Sequence, residues 1–478
     1  MLLHTRKSTI LLLALITLAV AMMSPLHPLS RALPATDSSV FILVGRSMHA
    51  GMLPYRDIFD HKGLLLYVIN YIGLFFGTIG VWVLELLFLL AATTLCYQCA
   101  RRFFDESISI LAILGSFIAI TPWYVGGNLP EVYALPFMFG ALYCLLEYFA
   151  NDYKLRRVSV FIAGACMGGV ILLKANMIGV WIGFCATIFV HALLRKRYRD
   201  ALNYALFFLL GIVSFLAPFI VWLAFNGLLE YFVEAYIIFN MMYSEVSLLG
   251  RIDVVIRAFG FTAIFLTSII LALMFFRYTK EKDIEKAVLS CGLAGSFVAT
   301  LLIATMGGRF APQYFLMFIP CLVLPFAYLI ECMKKEFKIR SGLILLLLLV
   351  FFHGQIMEGV GHVRNTRNRN RVVEEVATVI DENTNTNDTM IVLGNICSIY
   401  NRTGLFPATR FPYQTTIINI NPLIRDQIKQ DIYDRQPRIL VRPVWQEWSS
   451  CEVELIQDYE VIFENCTFYV YLRRGKER

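Results

Sequence analysis

A chain of 478 residues that is 58% hydrophobic and only 16% charged, with a mean hydropathy of +0.65, is too apolar for a soluble globule, in which about a quarter of residues are charged. Its net charge of +7 comes from short basic clusters set between apolar segments, which is a topology signal and not a polyanion-binding face, so no nucleic-acid partner is expected. The class these numbers predict is a polytopic all-α membrane protein.

In chain order, His4, Arg6 and Lys7 precede an apolar run from Ile10 to Met23, and the end of that run, Ser24-Pro25-Leu26-His27-Pro28, has no small-x-small cleavage site. An uncleaved first span with a cytoplasmic amino terminus is expected. A polar stretch from Thr36 to Gly63 follows, with an amphipathic helix over about 38–50 carrying Phe41, Val44 and Met48 on one face. The next apolar run, 64–77, is about 14 residues against the roughly 20 that a span needs. If it crossed, five later basic clusters would move to the outer face: Arg101-Arg102; Lys154 with Arg156-Arg157; Arg195-Lys196-Arg197; Lys280 with Lys282 and Lys286; and Lys334-Lys335 with Lys338 and Arg340. We therefore expect 64–77 to lie in the outer leaflet without crossing.

The expected crossings are then 8–24, 80–99, 107–122, 131–149, 158–173, 177–194, 201–225, 256–277, 286–305, 313–331 and 341–357, about eleven transmembrane helices in all. Residues 1–358 form the membrane domain, 359–371 an Arg/Asn-rich linker, and 372–478 a small extracytoplasmic α/β domain. In that domain the patterns predict a helix at 372–380, a strand at 390–394, a helix at 422–435, a strand at 439–441 and a hairpin-like pair at 459–463 and 467–472. Cys451 and Cys466 lie there in a compartment that can oxidise thiols, and a disulfide between them is open. Cys96-x-x-Cys99 sits in an apolar helix and reads as packing.

The candidate chemistry gathers on one side. Asp37 is either a helix cap or a general base above the membrane, and the two roles are compatible. Arg56, His61 and Lys62 offer cationic donors for a phosphate while Asp57 and Asp60 orient them; the plainer reading is a charged interfacial loop. His61 could instead ligate a divalent metal, although no tight metal motif accompanies it. Glu131 heads the fourth span, where a carboxylate also suits the helix dipole. Lys174, at a tight turn between two short spans, is a functional candidate by its position. Gly307 to Tyr314 is an outer turn with the cation Arg309 and the amphipathic Tyr314. No G-x-x-x-x-G-K-[ST] occurs, so no nucleotide cofactor is expected.

Three motifs carry a resemblance: the G-x-x-P-Y-R-D-x-x-D-H-K-G loop from Gly51 to Gly63, the E-x-x-A-L-P-F run from Glu131 to Phe137, and G-R-x-x-P-x-Y-F from Gly308 to Phe315. Together with an acidic residue soon after the first span, they resemble bacterial GT-C-fold glycosyltransferases, relatives of the protein O-mannosyltransferases and the lipid A aminoarabinose transferases. The resemblance implies transfer of a sugar, with inversion, from a polyprenyl-phosphate donor to a hydroxyl on the extracytoplasmic face of the cytoplasmic membrane. It implies Asp37 as catalytic base, Glu131 as the second outer acid, and Lys62, Lys174 and Arg309 as holders of the lipid phosphate. Tyr55, Arg56, Asp57, Asp60, His61 and Tyr314 would complete the substrate-binding set. Ser38 stands where protein O-mannosyltransferases commonly have a second acid, which points to a glycan or glycolipid acceptor and not a protein. Two rival readings share the donor chemistry or the membrane setting: a lipid-linked sugar transporter or flippase, and a lipid-linked glycan ligase or polymerase. The transporter would place its charges near the bilayer midplane on broken helices.

Overall fold

A computed structural model describes residues 7–30, 33–34, 36–124, 126–243, 247–422, 424–445 and 456–474. In chain order the helices are α1 (Lys7–Ala21), α2 (Thr36–His49), α3 (Leu64–Leu74), α4 (Gly77–Arg101), α5 (Glu106–Ala119), α6 (Pro130–Ala150), α7 (Arg157–Lys174), α8 (Gly179–Leu194) and α9 (Tyr198–Phe225). They continue with α10 (Leu229–Phe232), a π-helical turn Val233–Ile238, α11 (Phe239–Tyr243), α12 (Leu248–Phe259), α13 (Thr262–Lys280), α14 (Ile284–Thr305), a 3₁₀ segment Pro312–Phe318, α15 (Ile319–Lys335), α16 (Ser341–Phe351) and α17 (His353–Asn383). Three short helices follow: α18 (Ser398–Thr403), α19 (Thr415–Ile420) and α20 (Ile424–Arg435).

The chain divides into two compact units that interleave in sequence. One comprises Met1–Ser24, Val83–Trp222 and Ser244–His362; the other comprises Pro25–Trp82, Leu223–Tyr243 and Val363–Arg478. The first is the membrane unit. Seven helices are long and apolar enough to cross a bilayer, and α16 with the start of α17 makes an eighth if that pair, bent by 53°, is one span. This makes a multi-pass membrane protein. The remaining three expected crossings correspond to the shorter apolar helices α1, α5 and α8. The span expected at 256–277 begins later, at Thr262, because residues up to Phe259 form the separate amphipathic α12.

Helix packing in this unit depends on small residues, since lipid offers no hydrophobic drive to bring helices together. Gly179 and Gly183 of α8 face Thr300 and Ser296 of α14; a Cβ on Gly183 would lie 2.0 Å from the Ser296 backbone nitrogen. The basic clusters share one end of the unit. Arg195 stacks over Tyr153, Arg197 reaches the carbonyl of Tyr153 at 2.9 Å, Arg277 pairs with Glu336, and Lys334 donates to Ser107 at 2.6 Å. At that same end Thr9 of α1 meets Glu106, while further along Thr17 donates to Thr93 of α4 at 3.0 Å. So α1 and α4 run antiparallel, and the chain leaves one and enters the other at a single end.

The second unit joins the loops after α1 and α9 to a five-stranded sheet. Its strands are β1 (Thr389–Val392), β2 (Phe406–Pro407), β3 (Ile439–Pro443), β4 (Tyr459–Glu464) and β5 (Phe468–Arg473), in the order β2-β1-β3-β5-β4. β1 pairs parallel with β2 and β3, and β3-β5-β4 is antiparallel. Every residue of β3 is buried, as a central strand requires. The hairpin and both helices expected in this domain are present, and the 359–371 stretch read as a linker is helical, part of α17. Cys466 is exposed, and its expected partner Cys451 lies outside the described residues.

Candidate active site

In the second unit the Gly51–Gly63 loop folds around Tyr55. This residue adopts a left-handed backbone (φ 69°), donates its N–H to Ile58 O at 2.8 Å, and is fully buried with its hydroxyl donating to Lys62 O at 2.9 Å. Tyr55 therefore shapes the loop from inside and, contrary to the sequence expectation, presents nothing to a substrate. Arg56 forms a two-pronged ion pair with Asp57 at 2.8 and 2.9 Å, and Asp57 also accepts from Leu53 N at 2.8 Å. The hydrogen bond from Arg56 holds the Asp57 carboxyl below its usual range, so this pair closes the turn.

Asp60 is the buried hub of the loop, 2% exposed. It accepts from Tyr67 at 2.8 Å and from Tyr413 at 2.5 Å, with His61 Nδ1 at 3.4 Å and Lys62 Nζ at 3.9 Å. Burial opposes its ionisation, but the Lys62 charge, the neighbouring His61 ring and the two phenolic hydrogen bonds outweigh that and hold the carboxyl below its usual range. Burial, with the adjacent Asp60 charge, pushes the Tyr413 phenol well up, so Tyr413 stays a donor. His61 Nδ1 lies 3.0 Å from that phenol oxygen and Lys62 donates to His61 Nε2 at 2.7 Å, which assigns the proton to Nδ1. Both ring nitrogens are engaged, and an ammonium fills the direction a metal would need. Among the described residues no group of three or more His, Cys, Asp or Glu gathers to hold an ion. As placed, this donor set does not fit a divalent metal.

The network aims Lys62. Its ammonium lies 5.8 Å from the ring centroid of Phe41, four residues beyond Asp37 on α2, and so on the same helical face. Asp37 itself is exposed in the first turn of α2, where the helix dipole favours the carboxylate, and its charge adds to the field acting on Tyr413. The exposed Asp37 carboxylate and the largely buried Lys62 ammonium thus both lie along α2, with Phe41 one turn beyond Asp37 and beside Lys62.

Several residues that sequence reasoning passed over make this possible. Arg410 donates to Tyr55 O at 2.8 Å and pairs with Glu234 at 2.9 Å, while its carbonyl receives Phe59 N at 2.7 Å. Asn240 donates to His61 O at 2.8 Å. Arg46 of α2 donates to the carbonyls of Tyr400, Gly404 and Leu405, tying α2 to the loop around α18. Arg46 was visible as a charge on an amphipathic helix; Tyr413 and Arg410 carried no signal in an otherwise ordinary polar tail.

The membrane unit holds a second cluster. Glu131, at the start of α6, accepts from Lys174, at the end of α7, at 2.7 Å, with side chains 1% and 12% exposed. The Lys174 ammonium also lies 3.5 Å from the ring centroid of Tyr314. These three predicted residues meet; Arg309 is exposed in the turn before the 3₁₀ segment. Glu85 is a missed acid with partners of its own: it is fully buried in α4, accepts from the Tyr124 hydroxyl and from Asn128 N at 2.8 Å, and abuts Gly127 in a left-handed turn. Its signal was an acid eight residues inside an apolar span.

The fold has counterparts among solved membrane-protein structures. It is similar to ArnT from Cupriavidus metallidurans bound to undecaprenyl phosphate, with a TM-score of 0.67 and 12% identity, covering 99% of each chain. For the apo state of that protein the TM-score is 0.63 and the identity 13%, over 96% of this chain and 97% of the other. The Archaeoglobus fulgidus oligosaccharyltransferase complexed with Zn and sulfate matches with a TM-score of 0.52 and 13% identity, over 98% of this chain and 73% of that one. No curated protein matches the sequence. The chain belongs to the family described as "Putative competence-induced protein Ccs4 N-terminal domain", which it matches over residues 2–352.

Proposed function

We propose that the protein is an inverting glycosyltransferase of the cytoplasmic membrane. It moves a sugar from a polyprenyl-phosphate donor to a hydroxyl of a glycan or glycolipid on the extracytoplasmic face. The observation that carries this reading is the placement of Lys62, which the buried Asp60 network holds with its ammonium 5.8 Å from the ring centroid of Phe41, one helical turn beyond the exposed Asp37. Undecaprenyl phosphate bound to the ArnT neighbour supports the donor class.

In this reading Asp37 takes the proton of the acceptor hydroxyl as its oxygen attacks the anomeric carbon. The bond from that carbon to the phosphate oxygen breaks, and the polyprenyl phosphate leaves with the electron pair; one displacement inverts the centre. Lys62 lowers the barrier by meeting the charge that develops on the departing phosphate, a preorganised stabilisation that needs no nucleotide. Lys174 and Arg309 are the membrane unit's own candidate cations for a lipid phosphate, and Glu131 acts on Lys174 as a positioning residue. Asp57 and Arg56 hold the loop's shape.

The test is Asp37→Asn introduced in place of the native residue, with expression and unfolding temperature checked in parallel. A general base contributes about 10²–10⁴-fold, so the glycan or glycolipid product should all but vanish while the lipid-linked donor accumulates. Normal product from a folded Asp37→Asn protein would overturn the proposal.

A further inference from the structure

A cavity of about 510 Å³ lies wholly within the second unit, bordered by Thr36 and Ser39 of α2, Asn370 of α17, Asn395 after β1, and the rings of Trp445 and Phe468. Its size is that of a small-ligand site, ~300–1,000 Å³. The chemistry of the wall is specific. Among the described lining residues none is Asp, Glu, Lys, Arg or His. The polar groups are hydroxyls and carboxamides, which both donate and accept. Trp445 is 67% exposed and stands 6.4 Å from the buried Phe468, so a flat apolar face is open to the cavity side of the sheet.

An anion such as a phosphate would call for a guanidinium or ammonium in the wall, and an amino sugar for a carboxylate. Among the described lining residues there is neither, and the carboxylate of Asp37, in the same turn of α2, is not one of them. A pyranose has an apolar C–H face for an indole and a rim of hydroxyls for amides and alcohols, and it carries no charge. Thr36 and Ser39 also flank Asp37 in the same turn of α2, so a ligand here presents its hydroxyls beside the proposed base.

We infer that this cavity binds a neutral saccharide and is the acceptor subsite. Only the acceptor role rests on the transferase proposal; saccharide binding stands apart from it. The donor phosphate is handled elsewhere, by the cations described above.

The experiment is saturation-transfer NMR on the full chain in nanodiscs, with N-acetylglucosamine and its β-1,4 dimer as neutral probes and glucosamine and glucose 6-phosphate as charged ones. The neutral probes should bind and the charged ones should not. Trp445→Ala and Asn370→Ala should each weaken binding about tenfold or more. A folded Trp445→Ala protein that binds as the parent does, equal binding of charged and neutral probes, or no binding of either neutral probe would overturn the inference. Failure of the transferase reading looks different: Asp37→Asn would keep its product while the saccharide signals behaved as stated.

Discussion

The Glu131–Lys174 pair gives the sharpest energetic expectation. The two charges sit 2.7 Å apart with 1% and 12% of their side chains exposed, so solvent screens them little. At an effective dielectric of ~20, Coulomb attraction at that separation is about 6 kcal/mol, and most of it offsets the cost of taking both ions out of water. Removing one partner strands the other. Lys174→Met, which keeps the stem's length, should therefore cost about 3–5 kcal/mol by leaving the Glu131 carboxylate buried alone, and it also removes the ammonium from the Tyr314 face. Glu131→Gln should cost a comparable amount. The double variant Glu131→Gln with Lys174→Met removes both charges and should recover most of the stability of either single change. Thermal unfolding of the four detergent-solubilised proteins measures this cycle, and sugar transfer is assayed on the same samples. The double variant should be folded, because stability needs only charge balance, and on the proposed role of Lys174 it should be inactive. Additive losses across the cycle would refute the coupling, and full activity in the double variant would refute a role for Lys174 in the reaction.

Other expectations follow from the same reasoning. The folded-state Asp60 carboxyl is held below its usual range, so its contribution to stability is complete above that range and is lost as pH falls through the lowered value. Acid unfolding followed by fluorescence should begin at lower pH in the parent than the ordinary carboxylate range, and Asp60→Asn should flatten that transition; superimposable acid profiles would contradict the network. Lys62→Ala should raise the donor KM, lower kcat and also lower the unfolding temperature, because it takes a charge from beside the buried Asp60, and Lys62→Arg should restore part of the donor affinity, read by donor titration. Gly183→Ala places a Cβ against the α14 backbone and should destabilise the membrane unit by about 1–3 kcal/mol; an unchanged melting temperature would refute the close approach of α8 and α14.

What the sequence determined by itself was whatever depends on local pattern. Hydropathy marked the apolar helices, and the basic clusters found at one end of the membrane unit were read from charge alone, because lipid and water sort residues segment by segment. The loop Gly51–Gly63 was also visible, since a dense run of charge beside a bilayer is costly and stands out. So were the strands read at 390–394, 439–441 and 467–472, from their short apolar runs, which lie on the observed β1, β3 and β5.

Only the tertiary structure decided which of those charges work together and which are spent on shape. Asp60 and Tyr413 are 353 residues apart, and Glu131 and Lys174 are 43 apart on neighbouring helices; nothing in either segment announces its partner. Tyr55 looks like a surface residue in the motif and is the loop's buried pin, because the left-handed turn at its own α-carbon directs its ring inward. β2 is two residues long, too short for any period, and exists because β1 offers it an edge. The interleaving of the two units, with loops from before α4 and after α9 joined to the carboxyl-terminal sheet, is likewise a matter of packing. Contacts across hundreds of residues depend on how buried surfaces close on one another, and one-dimensional patterns carry only the local half of that information.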